Sequence, residues 1–575
     1  MSFEAYDEDV RPNDIDPDAY HVRADEISVA DAQAFEQRLV KLPAALRRMG
    51  YNGLRPGQDK VISSILCARD TLCILPTGAG KTACFALPTL AAGWRTIVLS
   101  PLISLMRDQT QNLSARGLNV AQINSSVPDS LVQSAMRDWA QGNLDLLFCA
   151  PERLRRKEFI EFMQKSPPDF VVIDEAHCAS QWGDSFRASY YFIGHFVDIV
   201  KPKVVAALTA TCEPEVEEDV RHILCMHKAH KVLHYVRRSN LELHSGEWLA
   251  ISDLAQQINA MEGSTIVYCS TIKMVATTAD QLQHMVHGGV MMYHGELGTP
   301  QRSQIQDAFM QGDVKVMVAT NAFGMGVDKP DIRAVYHRNI PGTLAALQQE
   351  IGRAGRDGKP SLCVTFFDQP SVRTQQFFIE NGNPSQPEIT RVFTAMQSFA
   401  NADGLLRVTN NDLAKRARVH PMKMAAINQV LTGNKIIERA PSHELIASVR
   451  FQVAHGDRYF RQVADLVREV AELDSGGNYK FDLRDLVNRS GATESTVRNW
   501  LKQQADKGNI DYLPPFRGSS TKILQRSLSH VNFERLADKA AKAGGKLQEV
   551  IRYCNDVPDH QKHQYLEEYF KLLHS

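Results

Sequence analysis

Ten short apolar runs, in two sets of five, constrain this chain more than anything else in it. The first set falls at residues 71–75, 96–99, 144–149, 170–173 and 204–208, the second at 264–268, 290–293, 314–319, 334–337 and 361–366. Each run is too short for a helix of its own and is rich in Val, Ile, Leu or aromatic residues, the pattern of a strand buried on both faces. Polar amphipathic stretches separate the runs. The expected fold is therefore parallel α/β, built twice in tandem over residues 39–235 and 236–368, with a cleft that opens and closes.

A chain of 575 residues has room for about three to five domains, each with its own core. Hydrophobic content of 43% and charged content of 23% are those of an ordinary globular protein. The formal net charge of −1 hides an uneven distribution: residues 1–36 hold eleven Asp/Glu against Arg11 and Arg23. Residues 1–38 thus read as an acidic arm, either a solubilising tail or a handle for a protein partner. A neutral total does not exclude nucleic acid, because binding needs only a local basic track. The ten cysteines include no C-x-x-C pair, which argues against a disulfide framework and a four-cysteine zinc site, so no zinc is expected. With no apolar run of membrane length and no signal-peptide pattern, a cytoplasmic protein without a membrane partner is expected.

After residue 369 the strand rhythm stops. Residues 369–405 read as a helical connector, and 406–530 as a winged-helix-type DNA-binding region with two helix-turn-helix-like patches, near 408–440 and 481–525. In the second, Ser490-Gly491-Ala492-Thr493 makes the turn, Thr493 or Ser495 caps the next helix, and segments 509–512 and 521–524 form the two strands of one wing. Both patches carry more Lys/Arg than Asp/Glu, which favours phosphate contact, although such folds also dock proteins. Residues 531–575 read as a helical tail, a second place for a protein partner.

The chemistry lies in four places. Leu75-Pro76-Thr77-Gly78-Ala79-Gly80-Lys81-Thr82 follows a strand and precedes a helix, so the N–H groups of Thr77, Gly78, Ala79 and Gly80 can cradle phosphates. Lys81 then neutralises the β/γ oxygens of ATP and the Thr82 hydroxyl ligates Mg²⁺. The general phosphate-loop pattern begins with glycine, where this chain has Leu75. The run 171–173 ends in Asp174 and Glu175, one carboxylate to hold Mg²⁺ and the next to orient water. Tyr51 and Gln58, upstream of the loop, offer a ring to stack on adenine and an amide to pair with it. Finally, Gly352-Arg353-Ala354-Gly355-Arg356 places two arginines three apart, able to stabilise a transferring phosphoryl group across the cleft. In isolation, that run would equally be a solvated basic turn or an RNA contact.

Taken together, residues 42–368 resemble the RecQ family of superfamily 2 DNA helicases. Ser100-Pro101-Leu102-Ile103-Ser104-Leu105-Met106-Arg107-Asp108-Gln109 is similar to that family's motif Ia, and Ala150-Pro151-Glu152-Arg153-Leu154 to Ib. Asp174-Glu175-Ala176-His177 resembles motif II, Leu208-Thr209-Ala210-Thr211 motif III, Tyr268-Cys269-Ser270 motif IV, and the segment from Ala319 to Pro330 motif V. The loop Ser180-Gln181-Trp182-Gly183, continuing to Phe186-Arg187, resembles the aromatic-rich loop that distinguishes this family among helicases.

The resemblance implies two RecA-like parallel-sheet domains followed by helical and winged-helix domains. It implies Arg55 on adenine beside Tyr51 and Gln58, and Arg353 and Arg356 acting with Lys81, Asp174 and Glu175 in catalysis. It further implies DNA contact or coupling by Pro151, Glu152, Arg153, His177, Gln181, Trp182, Phe186 and Arg187. The implied activity is ATP-dependent 3′→5′ movement on single-stranded DNA with unwinding of forked DNA, in repair or recombination. Two departures stand out. The family's Gly-His-Asp-Phe-Arg-Pro reads Gly183-Asp184-Ser185-Phe186-Arg187-Ala188 here, and its four-cysteine zinc platform is reduced to a remnant around Tyr553-Cys554 and Tyr565–Phe570, with His560 and His563 nearby. Alternatives are a DNA translocase or remodeller without productive unwinding, and a winged-helix adaptor with a regulatory ATPase.

Overall fold

The computed structural model describes residues 29–572 apart from 77, 182–183, 211, 235–236, 325–326, 401–403, 407, 441–445, 454–457, 475–476 and 514–519. Most of the acidic arm lies outside the described residues. The chain divides into two compact units, Met1–Phe377 with Ala543–Ser575, and Phe378–Lys542.

In the first unit, β1 (Thr71–Ile74), β2 (Thr96–Leu99), β3 (Val120–Ile123), β4 (Leu146–Cys149), β5 (Phe170–Ile173), β6 (Val204–Thr209) and β7 (His230–Leu233) form a parallel sheet. Its order is β3-β4-β2-β5-β6-β1-β7. A second parallel sheet comprises β8 (Leu241–Glu247), β9 (Ser264–Tyr268), β10 (Val290–Tyr293), β11 (Val316–Ala319), β12 (Ile332–His337) and β13 (Ser361–Phe367), ordered β10-β11-β9-β12-β13-β8. Strand side chains alternate between faces, so each central strand feeds two cores. Cys73, Val98, Phe148, Val172 and Ala206 enter one, and Leu72, Ile97, Leu147, Val171 and Val205 the other.

The ten apolar runs all become strands. The three strands outside those runs, β3, β7 and β8, are all sheet edges. An edge strand is covered less completely, so its sequence stays mixed: Val-Ala-Gln-Ile, His-Lys-Val-Leu and Leu-Glu-Leu-His-Ser-Gly-Glu carry no continuous apolar signal.

The tail belongs to this unit from residue 543. Lys546 Nζ lies 2.5 Å from the buried Glu213 carboxylate, and Asp559 accepts from the Ser245 N–H (3.1 Å) and pairs with His244 (2.7 Å). His563 Nε2–H donates to the Leu241 carbonyl (2.8 Å), while the Cys554 thiol is buried, which pushes it up to about 11. Among the described residues, no three His, Cys, Asp or Glu side chains form a group able to hold a metal. Of the tail residues singled out in the sequence, Tyr553, Cys554 and Phe570 are buried, whereas His560 is exposed.

The second unit contains β14 (Leu405–Leu406), β15 (Ile437–Ala440), β16 (Ile446–Phe451), β17 (Glu472–Leu473), β18 (Tyr479–Asp482), β19 (Ile510–Leu513) and β20 (Ser520–Ile523). The expectation of one wing from segments 509–512 and 521–524 is corrected here. Strand β19 pairs with β16, whereas β20 pairs with β14 and β15, in a different sheet. The second helix-turn-helix patch, with helices Leu483–Ser490 and Glu494–Asp506, is therefore inserted within the first, whose helices are Asn410–Ala417 and Lys423–Gly433. Thr493 supplies the cap, accepting from the Thr496 N–H at 3.3 Å. Each patch has a core: Ile389, Leu413, Ile427 and Val531 in the outer one, Val449, Phe460, Val497 and Leu501 in the inner one. Helix Gln386–Phe399, expected as connector, contributes Ile389, Val392 and Met396 to the outer core.

Ala440 and Ser520 are register partners in an antiparallel pair, so the insertion leaves and returns at neighbouring points. Replacing residues 441–519 with an Asn-Gly turn should leave the outer core folded. Circular dichroism and calorimetry of that variant should show a soluble protein with a smaller unfolding enthalpy. Aggregation, or loss of cooperative melting of the remainder, would show that the two cores depend on each other.

Candidate active site

The order of the first sheet assembles the site. Strand β6 lies between β5 and β1, so the loops after all three meet at their carboxyl ends, where ligands bind in open α/β sheets. Leu75 N–H donates to the Thr209 carbonyl (3.0 Å) and Ala176 N–H to the Leu208 carbonyl (2.9 Å), which locks the three loop starts together. Leu75 itself is fully buried in the core, the physical reason a leucine occupies the position where the general pattern has glycine.

Helix Lys81–Ala92 starts at Gly80, which has φ +77° and no side-chain cap, so its first N–H groups stay free for an anion. The loop is held from outside the sheet. The Gln58 amide donates to the Ala79 and Gly80 carbonyls (2.8 and 3.0 Å), and its oxygen accepts from the Arg55 N–H (2.8 Å). Arg55 Nη1 donates to the Gly78 carbonyl (2.6 Å). A Cβ on Gly80 would sit 2.6 Å from Gln58 Nε2, so glycine is required there. In the structure the polar groups of Gln58 and Arg55, expected on adenine, brace the carbonyls of the phosphate loop. Tyr51 is half-buried under Arg116, whose guanidinium lies 5.0 Å from its ring. Thr77 lies outside the described residues.

Asp174 and Glu175 follow β5 as adjacent acids. Burial, then the charge of Glu175, pushes the Asp174 carboxyl up to about 7, against the pull of Lys81 and a hydrogen bond from Gln109. Burial also raises Glu175, but the fields of Lys81, His177, Arg353 and Arg356 outweigh it and hold the carboxyl below its usual value. The two acids are thus held apart, the Asp174 carboxyl above and the Glu175 carboxyl below the usual carboxylate value. Glu175 adopts φ +48°, a costly backbone conformation for a residue with a Cβ, held by the Asp174 N–H bond to the Leu99 carbonyl on one side and the Ala176 N–H bond to the Leu208 carbonyl on the other. Its Oε2 is buried with no aligned hydrogen-bond partner, although His177 Nδ1 lies 3.3 Å away. His177 is buried, which lowers its pKa, and its Nδ1 is 3.0 Å from Thr209 Oγ1, joining motifs II and III.

The second sheet supplies the arginines. Helix Leu344–Ile351, capped by Thr343, runs into the turn that carries Arg353 and Arg356. Arg353 is buried, and the Nε atoms of both arginines are buried without a hydrogen-bond partner. Arg356 Nη1 rests on Asp328 at 2.5 Å. Beneath the helix, His337 Nε2 lies 2.9 Å from Glu350 Oε2 and stacks on Tyr268. Arg107 after β2 reaches Asp307 of the second sheet's helices at 2.6 Å.

The orphaned Glu175 Oε2, the raised pKa of Asp174 and the uncapped helix start all fit a divalent cation carried with a polyphosphate. Asp174 and Thr82 would hold Mg²⁺, which when bound supplies positive charge to phosphate oxygens. A cavity of about 330 Å³ opens beside the loop, between Pro76, Ala210, His234, Gln348, Phe570 and Lys571.

Other expected residues sit elsewhere. Arg153 is buried and donates to the Asn124 carbonyl (2.8 Å), tying the turn after β4 to the loop after β3, while Pro151 is buried and Glu152 exposed. Trp182 lies outside the described residues, as do the side chains of Gln181, Phe186 and Arg187. Two contributors escaped the sequence reading. Gln109, on helix Ile103–Ala115, reaches Asp174 from the far end of a motif. Arg238, in the segment between the sheets, donates to the carbonyls of Gly352 (3.1 Å), Ala354 (2.8 Å) and Gly355. Its only sequence signal was a basic residue in an unassigned stretch.

An acid whose pKa rises on folding destabilises the fold as pH climbs from its unfolded value, 3.8, through 7. Asp174→Asn should therefore melt about 2–4 °C above the parent at pH 8 without nucleotide, with the gap closing towards pH 4. Added Mg²⁺ should stabilise the parent and leave the variant unmoved. Equal melting curves at pH 8 would refute the buried, unpaired acid.

The DEAD/DEAH box helicase model matches residues 55–220, and the helicase conserved C-terminal domain model residues 249–358. The chain is similar to the ATP-dependent DNA helicase RecQ of Bacillus subtilis (strain 168), 40% identical over 345 residues, which cover 59% of this chain and 58% of that protein. The probable ATP-dependent DNA helicase RecS of the same organism is 35% identical over 361 residues, 62% of this chain and 72% of that one. Among solved structures, S. cerevisiae Dbp5 bound to RNA and ADP BeF3 is 22% identical with a TM-score of 0.47, covering 59% of this chain and 91% of that chain. The match thus spans less than two thirds of the RecQ relative but more than two thirds of RecS. With one helicase model on each parallel sheet, the chain belongs to the RecQ family of superfamily 2 helicases.

Proposed function

We propose that this protein is an ATP-dependent DNA helicase that moves 3′→5′ on single-stranded DNA and separates tailed or forked duplexes, in DNA repair or recombination. One observation carries the reading. Arg353 and Arg356, on the second sheet, depress the pKa of Glu175, on the first, together with Lys81. Groups from both sheets therefore act on one acid, the arrangement needed to hydrolyse a nucleotide between them. The similarity to RecQ, an ATP-dependent DNA helicase, and to RecS, a probable one, favours DNA as the track.

In this reading the free N–H groups at Gly80 and Lys81 seat the phosphates. Glu175, ionised near neutrality, accepts a hydrogen bond from water and orients it for in-line attack. Arg353 and Arg356 offer unspent Nε–H donors to charge developing on the phosphoryl oxygens. His177, tied to Thr209, is placed to pass a change at the acids to the loop after β6. Trp182, Phe186 and Arg187 are proposed to receive it and couple hydrolysis to the DNA strand. The helix-turn-helix patches, with their excess of basic residues, are proposed to hold duplex DNA.

ATP hydrolysis with and without single-stranded DNA, beside strand displacement on duplexes with 3′ or 5′ tails, tests this. Hydrolysis should be DNA-stimulated, only the 3′-tailed duplex should open, and Lys81→Ala should lose at least about 100-fold in hydrolysis. Stimulated hydrolysis without displacement would replace the helicase with a translocase; intact biological effect in Lys81→Ala would leave an adaptor. Trp182→Ala should keep DNA binding and lose stimulation, and equal stimulation in both proteins would refute that role.

A further inference from the structure

We propose that Arg238 is a positioning residue that sets the arginine turn against the phosphate loop, an inference that rests on the site being an ATPase. Arg238 lies between β7 and β8, the segment that joins the two sheets, and is 8% exposed. Its guanidinium faces two ways. On the second sheet it donates to the carbonyls of Gly352, Ala354 and Gly355, which end the helix Leu344–Ile351 and flank Arg353. On the first, its Nη1 would lie 3.3 Å from a Cβ placed on Gly78. A planar fork of five donors can serve several carbonyls at once, and its charge offsets the negative end of the helix.

The neighbour in sequence strengthens the cradle. Asn240 Nδ2 donates to the carbonyls of Gly355 (2.8 Å) and Lys359 (3.0 Å). Gly355 has φ +55°, and a Cβ there would meet Asn240 Nδ2 at 2.5 Å and Ser361 Oγ at 2.7 Å. The turn between Arg353 and Arg356 is thus shaped on one side by the linker itself. Arg238 follows β7, which pairs with β1 beside the phosphate loop, and precedes β8, so in the chain it stands between the two sheets. The Nε atoms of Arg353 and Arg356 have no hydrogen-bond partner, so their placement follows the backbone of the turn together with the Asp328 contact at Arg356 Nη1. Arg238 is not itself a catalytic group. Its guanidinium is occupied by protein carbonyls.

The test is a double-mutant cycle on the full chain, with melting temperature, ATP KM and kcat as readouts. Arg238→Gln should lower kcat about 10–100-fold, the loss expected when reacting groups are misplaced by about 1 Å. KM should stay at the parent's value, and the kcat loss should persist at temperatures well below the melting transition of either protein, whatever the variant loses in melting temperature. In an Arg353→Ala/Arg356→Ala background the same substitution should cost little more, because the groups it positions are gone. Arg238→Lys keeps the charge without the planar fork and enters the same cycle, so poor folding of the Gln variant leaves the proposal testable. A raised KM with normal kcat, equal fold-losses in both backgrounds, or a kcat loss that only tracks a lowered melting temperature overturns it. A parent protein without ATPase activity would instead overturn the reading of the site, and a working parent with an unaffected Arg238→Gln would overturn this inference alone.

Discussion

Two adjacent carboxylates buried at the end of one strand are the constraint around which the first unit is arranged. Taking Asp174 and Glu175 out of water is costly unless positive charge accompanies them. The chain holds their pKa values apart, Asp174 raised and Glu175 lowered, and surrounds the latter with Lys81, Arg353 and Arg356. Those three cations come from a helix start on one sheet and a turn on the other. The acid pair is thus a reason for the sheets to close as well as a candidate chemical centre.

The supporting structure is mostly backbone held by side chains. Gln58 and Arg55 grip the carbonyls of the phosphate loop, Arg238 and Asn240 those of the arginine turn. Both grips leave N–H groups or arginine Nε atoms unspent where a polyphosphate would lie. The same economy appears in the tail, where Lys546, Asp559 and His563 attach to residues on both sheets.

Much of this was legible in the residues. Central strands announced themselves because burial on two faces demands unbroken apolar runs, and the phosphate loop because glycines, lysine and threonine between strand and helix have one obvious use. Edge strands β3, β7 and β8 were hidden because one exposed side permits polar residues. The single wing expected from segments 509–512 and 521–524 failed for a related reason: strand propensity names a strand but not its partner, and β20 pairs across an insertion with β14 and β15. The bond of Arg153 was hidden because sequence does not show that Asn124 offers it a carbonyl.

The sequence by itself determined the two parallel sheets, the loop that can bind phosphate, the acid pair and the arginine pair, because each is written in contiguous residues whose chemistry is local. Tertiary structure alone decided that β6 separates β5 from β1 and so brings residues about a hundred positions apart to one edge. It also decided that Gln58 braces the loop, that the pKa of Asp174 is raised, and that Arg238 shapes the arginine turn. Those outcomes depend on burial and on which carbonyl lies within reach, and neither quantity exists until the chain has closed on itself.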